Sequence, residues 1–245
     1  MGILYCVATP IGNLEDITIR AIKILFSVDY IACEDTRKTG QLLKNYELRI
    51  KNQETKFDRL NIINKPRLIS YYDEIEFKRM LEIIDLLEKG KKVALVSNSG
   101  TPLISDPGYK LVSECLKRKI RIVSIPGPSS ILVALVSSGL TVNQFLFLGY
   151  LPTSQNKRFK LFTNLLSCFK SLSQISPTII FFESPYRLRE SLKDLKQAFG
   201  DIEIVIAREL TKIHEEIYRG KISQALNYFL SPRGEIVLLF TLCRR

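Results

Sequence analysis

The sequence predicts an α/β protein made of two α/β domains, and three observations lead there. Short apolar runs of strand length alternate with longer stretches of helical period. Several of those runs lead straight into loops rich in Gly, Pro and Ser, the position at which open α/β sheets bind ligands. Finally, Gly149-Tyr150-Leu151-Pro152-Thr153-Ser154 is the best linker in the chain, dividing it into an N-terminal domain of residues 1–150 and a C-terminal domain of residues 151–245.

The first strand is Ile3–Ala8, and a helix follows over Thr18–Ser27 with Ala21, Ile22, Leu25 and Phe26 on one face. A second strand, Tyr30–Cys33, ends at Glu34-Asp35-Thr36-Arg37, and the polar stretch from Glu47 to Lys65 reads as an elaborated loop. Leu68–Ser70 is a third strand. Beyond it Phe77, Met80, Leu81, Ile84 and Leu87 recur at helical spacing and stop at Gly90, which predicts an amphipathic helix with a glycine terminator. Two strands of buried type, Val93–Val96 and Ile122–Ile125, each run through a loop into a helix, and Phe145–Leu148 leads to the linker. The second domain reads as a basic helix Lys157–Leu172, strand Thr178–Phe182 and a helix ending at Phe199. Strand Glu203–Ala207, a short helix Ile222–Phe229 and strand Glu235–Thr241 complete it.

Composition narrows the function classes. The chain of 245 residues is 46% hydrophobic and 25% charged, ordinary for a globular protein, and no apolar run approaches the length of a membrane span. The start, without a basic leader, reads as a mature cytoplasmic one. Five scattered cysteines (Cys6, Cys33, Cys115, Cys168 and Cys243) and the single histidine, His214, offer no metal-ligand spacing. We expect no metal, and cysteines that act as small buried hydrophobes. An excess of 36 Lys and Arg over 25 Asp and Glu gives +11, which favours polyanionic partners unless it is merely compositional.

Three loops follow strands directly: Thr9–Asp16, Ser97–Gly108 and Pro126–Ser130. Gly permits close backbone approach, Pro stiffens, and Ser or Thr adds hydrogen-bonding groups. Together they would line a cleft for a small polar ligand, and individually they are equally readable as tight turns and helix caps. No GxGxxG or Walker A pattern occurs, so a dinucleotide or phosphate-loop reading fails.

In order along the chain stand Ala8-Thr9-Pro10-Ile11-Gly12-Asn13-Leu14, Glu34-Asp35-Thr36-Arg37, Gly100-Thr101-Pro102 with Ser105-Asp106-Pro107-Gly108, Pro126-Gly127-Pro128-Ser129, Phe182-Glu183-Ser184-Pro185, and Ala207-Arg208-Glu209-Leu210-Thr211-Lys212. This set resembles the ribosomal RNA small subunit methyltransferase I family of the tetrapyrrole (corrin/porphyrin) methylase superfamily. The resemblance implies two α/β domains with a cofactor cleft between them, a cytoplasmic homodimer, and S-adenosylmethionine as methyl donor. It implies methylation of the ribose 2′-oxygen of a cytidine in the decoding region of 16S ribosomal RNA, free or in the assembled 30S subunit. Carried over by position, Ile11, Ser99, Gly100, Thr101, Ile104, Ser129, Ser130, Glu183 and Leu210 contact the cofactor. Several features depart from the family pattern, a lengthened loop before Leu68–Ser70 among them. Asn98 replaces an aspartate in Ser97-Asn98-Ser99-Gly100-Thr101-Pro102, and Tyr72-Asp73-Glu74-Ile75 stands where histidines are usual.

Catalytic assistance, if any, falls to the loop Arg208–His214. Lys212 would orient the nucleotide or, with a depressed pKa, accept its proton, and Arg208 would hold phosphate or an acidic partner. The competing reading makes both a structural ion pair, and His214 a structural histidine rather than a base. Arg37, Lys157, Arg158 and Arg187, with Lys160 and Arg189, are the candidate RNA contacts. Two other functions stay open: a tetrapyrrole C-methyltransferase, and a weakly active RNA-binding ribosome-assembly factor.

Overall fold

The computed structural model describes residues 1–52, 65–171 and 176–241. Its contacts divide the chain into two units, Met1–Ser129 and Ser130–Arg245. The division falls ahead of the linker expected at Gly149, because the helix and strand preceding that linker pack with the second unit's sheet.

The first unit runs β1 (Ile3–Val7), α1 (Ile19–Leu25), β2 (Tyr30–Cys33), α2 (Thr36–Lys51), β3 (Arg67–Ser70), α3 (Glu76–Glu88), β4 (Lys92–Val96), α4 (Tyr109–Lys117) and β5 (Arg121–Ile125). The strands form a parallel sheet in the order β3-β2-β4-β1-β5. Both faces are covered, which is why these strands read as continuous apolar runs. On one face Val7, Ile31, Ala94 and Val96 pack against Ala21, Ile22, Leu25 and Phe26 of α1 and Tyr46 of α2. On the other, Leu4, Val93 and Leu95 pack against Met80, Ile83, Ile84 and Leu87 of α3 and Leu111 and Cys115 of α4.

Two sequence expectations shift here. Glu47–Lys51 is the last turn of α2 rather than loop, held because Tyr46 is buried and its hydroxyl donates to the Leu14 carbonyl at 2.6 Å. The rest of that expected loop lies outside the described residues. Helix α3 is rotated relative to its predicted face: Phe77 and Leu81 are exposed and Ile83 is buried. The cause is Glu76, whose buried carboxylate accepts from the Gly108 amide (3.2 Å) and the Tyr71 hydroxyl (3.1 Å) and pairs with Lys110 (2.8 Å). Turning Glu76 inward brings positions 80, 83, 84 and 87 in behind it.

The second unit contains α5 (Ser130–Ser138), β6 (Phe145–Tyr150), α6 (Gln155–Ser171), β7 (Thr178–Glu183), α7 (Leu188–Phe199), β8 (Glu203–Arg208), β9 (Glu216–Lys221), α8 (Ile222–Tyr228) and β10 (Ile236–Thr241). Its mixed sheet has the order β6-β7-β10-β8-β9, antiparallel except between β6 and β7. Phe162, Phe181, Phe240 and Leu192 centre its core. Strand β9 was not anticipated: Glu-Ile-Tyr-Arg-Gly-Lys is an edge strand with few buried side chains, so it lacks an apolar run. The expected end of α6 at Leu172, and Cys243, lie outside the described residues. Of the other cysteines, burial pushes the Cys6 thiol up to about 11 and Cys115 to about 12, while Cys168 is exposed, contrary to expectation.

Candidate functional site

The sheet order sets the site of the first unit. After β1 the chain crosses to β2 on one side of the sheet, and after β4 it crosses to β5 by way of α4 on the other. Neighbouring strands whose connections leave in opposite directions open a crevice at their carboxyl ends, where ligands bind in such folds. The three Gly/Pro/Ser loops follow β1, β4 and β5, which are adjacent strands.

Hydrogen bonds tie these loops into one frame. The Thr9 amide donates to the Gly100 carbonyl at 2.9 Å, and the Gly100 amide returns the bond to Thr9 at 3.1 Å. Thr101 Oγ1 donates to the Pro128 carbonyl at 3.1 Å, and Ser97 Oγ to the Ser99 carbonyl at 3.1 Å. Gly100 has φ +80°, and a Cβ there would lie 3.2 Å from Ile11 Cγ2. The bare backbone at this position therefore lets the loop lie closer to Ile11 than a side chain would allow. Ile11 and Gly100 are buried, Ser99, Thr101, Ser129 and Ser130 half-buried, and Ile104 exposed. The structure thus brings Ile11, Ser99, Gly100, Thr101 and Ser129 onto one hydrogen-bonded frame, while Ser130 opens the second unit.

Backbone strain marks the same loops. Among the described residues five that are not glycine have positive φ; Leu103 (71°) and Ser105 (65°) are in the loop after β4, and Glu209 (51°) and Thr211 (63°) follow β8. The fifth, Lys119, merely ends α4, where such a turn is ordinary. Each strained residue costs on the order of 1–3 kcal/mol and persists only where its surroundings over-determine it, a pattern concentrated at functional sites.

Sequence reasoning quoted Glu34 and Asp106 without giving them a role. The structure brings them close enough for each to feel the other's charge, Glu34 just past β2 and Asp106 in the loop between β4 and α4. Burial, then the charge of Glu34, pushes the Asp106 carboxyl up to about 7. Burial also raises Glu34, against the pull of Asp106, Lys38 and Asn98. Asn98 donates its amide to Glu34 Oε2. An aspartate at 98, the usual residue of the family pattern, would add a third negative charge here; the amide supplies a donor instead.

In the second unit the expected catalytic pair is engaged. Arg208 places Nε and Nη2 on Glu216 Oε2, both at 2.9 Å, and Nη1 on the Arg233 carbonyl at 3.2 Å. Lys212 Nζ donates to Glu209 Oε1 at 2.8 Å and Glu235 Oε2 at 3.0 Å. Burial pulls the Lys212 ammonium down, but these carboxylates outweigh it and leave the pKa raised, opposite to what a proton acceptor needs. Glu209 lies where a Cβ on Gly234 would sit, 2.4 Å from its side-chain carbons, so this tether depends on glycine. Leu210 is buried between the two strained residues, whereas Ile213 is 97% exposed and His214 exposed. Glu183 is buried with Ser184 N at 2.7 Å, Arg187 Nη2 at 2.8 Å and the Ser191 hydroxyl as donors, so its carboxylate is satisfied.

The candidate RNA contacts separate. Arg37 is 89% exposed and pairs with Asp35, which caps α2 by accepting from the Arg37 amide; Lys157 and Lys160 are exposed. Arg158 is a correction: at 2% exposure it is buried, paired with Asp194 (Nε, 2.7 Å) and donating to the Pro152 carbonyl (3.0 Å). A buried guanidinium requires such partners, so it ties α6 to α7 and cannot meet solvent. Arg187 serves Glu183, and Arg189 donates to the Phe229 carbonyl at 2.9 Å.

Comparison with known proteins places this geometry. Residues 3–226 match the model of the Tetrapyrrole (Corrin/Porphyrin) Methylases. A protein of Thermotoga maritima named ribosomal RNA small subunit methyltransferase I is 45% identical over 98% of this chain and 99% of its own length. The chain belongs to the ribosomal RNA small subunit methyltransferase I family. A relative of the same name from Synechocystis is 43% identical over 98% of this chain and 78% of its own length. Among solved structures, diphthine synthase aligns with a TM-score of 0.67 at 14% identity, over 98% of this chain and 90% of that one. A uroporphyrin-III-C-methyltransferase from Thermus thermophilus gives 0.60 at 14%, covering 98% and 94%. At those identities the likeness shows the fold alone, and it is the α/β tetrapyrrole methylase fold.

Proposed function

We propose that this chain methylates the ribose 2′-hydroxyl of a cytidine in the decoding region of small-subunit ribosomal RNA, using S-adenosylmethionine and acting as a cytoplasmic homodimer. The observation that carries the reading is the strained, glycine-cradled loop frame at the carboxyl ends of β1, β4 and β5, in a chain whose relatives bear the name of a ribosomal RNA methyltransferase. The net charge of +11 suits a polyanionic substrate.

The residues fit the cofactor. Gly100, its amide and carbonyl paired with Thr9, lets the loop lie close against Ile11, and Ser99, Thr101 and Ser129 bring hydroxyls and carbonyls to the same loops. When bound, the cofactor supplies a methyl group already activated by the positive sulfur. The work of the chain is then positioning, which supplies about 7–11 kcal/mol when reactants are held in attack geometry. A general base adds only about 3–5 kcal/mol. Lys212, charged and tethered, orients rather than accepts a proton, and Arg208 shapes its loop through Glu216.

Small subunits from a strain lacking the gene, incubated with the protein and methyl-labelled S-adenosylmethionine, should yield labelled 2′-O-methylcytidine after nuclease digestion. Label on a base, or none while the cofactor binds, would overturn the reading. Transfer to a tetrapyrrole precursor instead would assign the small-molecule branch, and RNA binding without cofactor binding an assembly factor.

A further inference from the structure

The second unit holds a cavity of about 370 Å³ that no step above uses. Its walls come from the end of β8 (Arg208), the start of β9 (Glu216), the end of α8 (Tyr228, Phe229) and the turn beyond (Ser231, Arg233). The volume sits at the small end of the roughly 300–1,000 Å³ of ligand pockets, enough for one nucleoside.

The polar floor is internally matched. Glu216 receives Arg208 on Oε2 and the Tyr228 hydroxyl, at 2.6 Å, on Oε1, so its charge is cancelled. The Arg189 guanidinium fixes the rim through the Phe229 carbonyl. What the floor leaves unmatched lies at the mouth. Tyr228 is 60% exposed although its ring packs against Tyr218 (centroids 5.2 Å) and Phe229 (4.9 Å), and Leu230 is 71% exposed. Arg233 is exposed, and its guanidinium makes no ion pair among the described residues. A rigid aromatic face beside a free guanidinium suits a planar base with a phosphate attached.

We propose that this cavity is a subsite for one unpaired nucleotide of the RNA substrate, its base stacked on Tyr228 and its phosphate held by Arg233. The proposal rests on the reading that the chain acts on ribosomal RNA. A nucleotide of a chain is favoured over a free one because the mouth is open and the protein carries +11.

The test compares wild type with Tyr228→Ala, Tyr228→Phe and Arg233→Gln, using a fluorescent single-stranded decoding-region oligonucleotide at several salt concentrations. Methyl transfer to small subunits and calorimetry with S-adenosylmethionine accompany it. Tyr228→Ala should weaken RNA binding about fivefold to a hundredfold, and Tyr228→Phe, which keeps the ring, should stay within about threefold of wild type. Arg233→Gln should remove about one phosphate contact from the salt slope. Both losses should appear in KM rather than kcat, with cofactor affinity unchanged. A wild type that methylates subunits, with both variants binding RNA like it, overturns the subsite and leaves the methyltransferase reading standing. A wild type that neither binds nor methylates RNA overturns both. Equal competition by a free mononucleotide would overturn the assignment to an RNA chain.

Discussion

Gly100 and Gly200 offer a matched pair of substitutions. Both have φ +80°, but a Cβ at Gly200, after α7, meets nothing within 4 Å, whereas one at Gly100 meets Ile11 Cγ2 at 3.2 Å. Gly200→Ala therefore isolates a conformational term, about 1–3 kcal/mol for a residue held at φ +80° and ψ −169°, a region kept essentially to glycine. That should lower Tm by about 2–12 °C. Gly100→Ala carries a positive-φ term of its own and must also move the loop away from Ile11, loosening the paired Thr9–Gly100 hydrogen bonds. Two such bonds are worth about 1–3 kcal/mol together. If that loss falls on the loop that holds the cofactor, affinity drops about fivefold to 150-fold. Calorimetric titration with S-adenosylmethionine, beside thermal melts of both variants, reads the two terms separately. Gly100→Ala binding within about twofold of wild type, or an equal loss in Gly200→Ala, would refute the argument that this loop cradles the ligand.

Three further outcomes are expected. Asp106 holds its proton to about pH 7 in the folded chain but releases it near pH 4 when unfolded. The folded state thus binds the extra proton between those values, and this group's contribution to stability falls as pH rises from about 4 to 7. Asp106→Asn should flatten that decline in Tm-against-pH curves, and parallel curves for the two proteins would contradict it. Arg158→Met leaves Asp194 buried and unpaired and should cost about 3–5 kcal/mol in denaturant unfolding. The salt slope of RNA binding should stay unchanged, and a shallower slope would return Arg158 to the RNA surface. Lys212→Arg preserves the charge that Glu209 and Glu235 hold, so single-turnover methyl transfer should stay within about tenfold of wild type. A fall of about 10²–10⁴-fold with binding intact would make Lys212 the base after all.

Strands β1, β2, β4, β7, β8 and β10 were legible because each is an apolar run covered on its sheet faces. The loops after them were legible through their Gly, Pro and Ser content. Arg158 was not: a buried arginine and a surface one are the same letter, and Asp194, which decides between them, comes from the next helix. Glu34 and Asp106 meet only because β2 and β4 are neighbours, and strand order leaves no periodic trace. The rotation of α3 escaped for a similar reason, since a buried glutamate reads as surface until the Gly108 amide and Tyr71 hydroxyl are in view.

The place of β4 in the first sheet governs how that sheet can assemble. It separates β1 from β2, so the strand that comes first in the chain has no partner among those that immediately follow it. A chain that ends before β4 holds only the β2–β3 pair, because both partners of β1, β4 and β5, come later. The β1–β4 hydrogen bonds must wait for a loop spanning three helices and two strands to close, an entropic toll due before any pairing rewards it. Insertion of β4 is thus the step at which the unit acquires both its faces at once. Slow-exchanging amides in β1 should appear together with those of β4, and later than protection in α2.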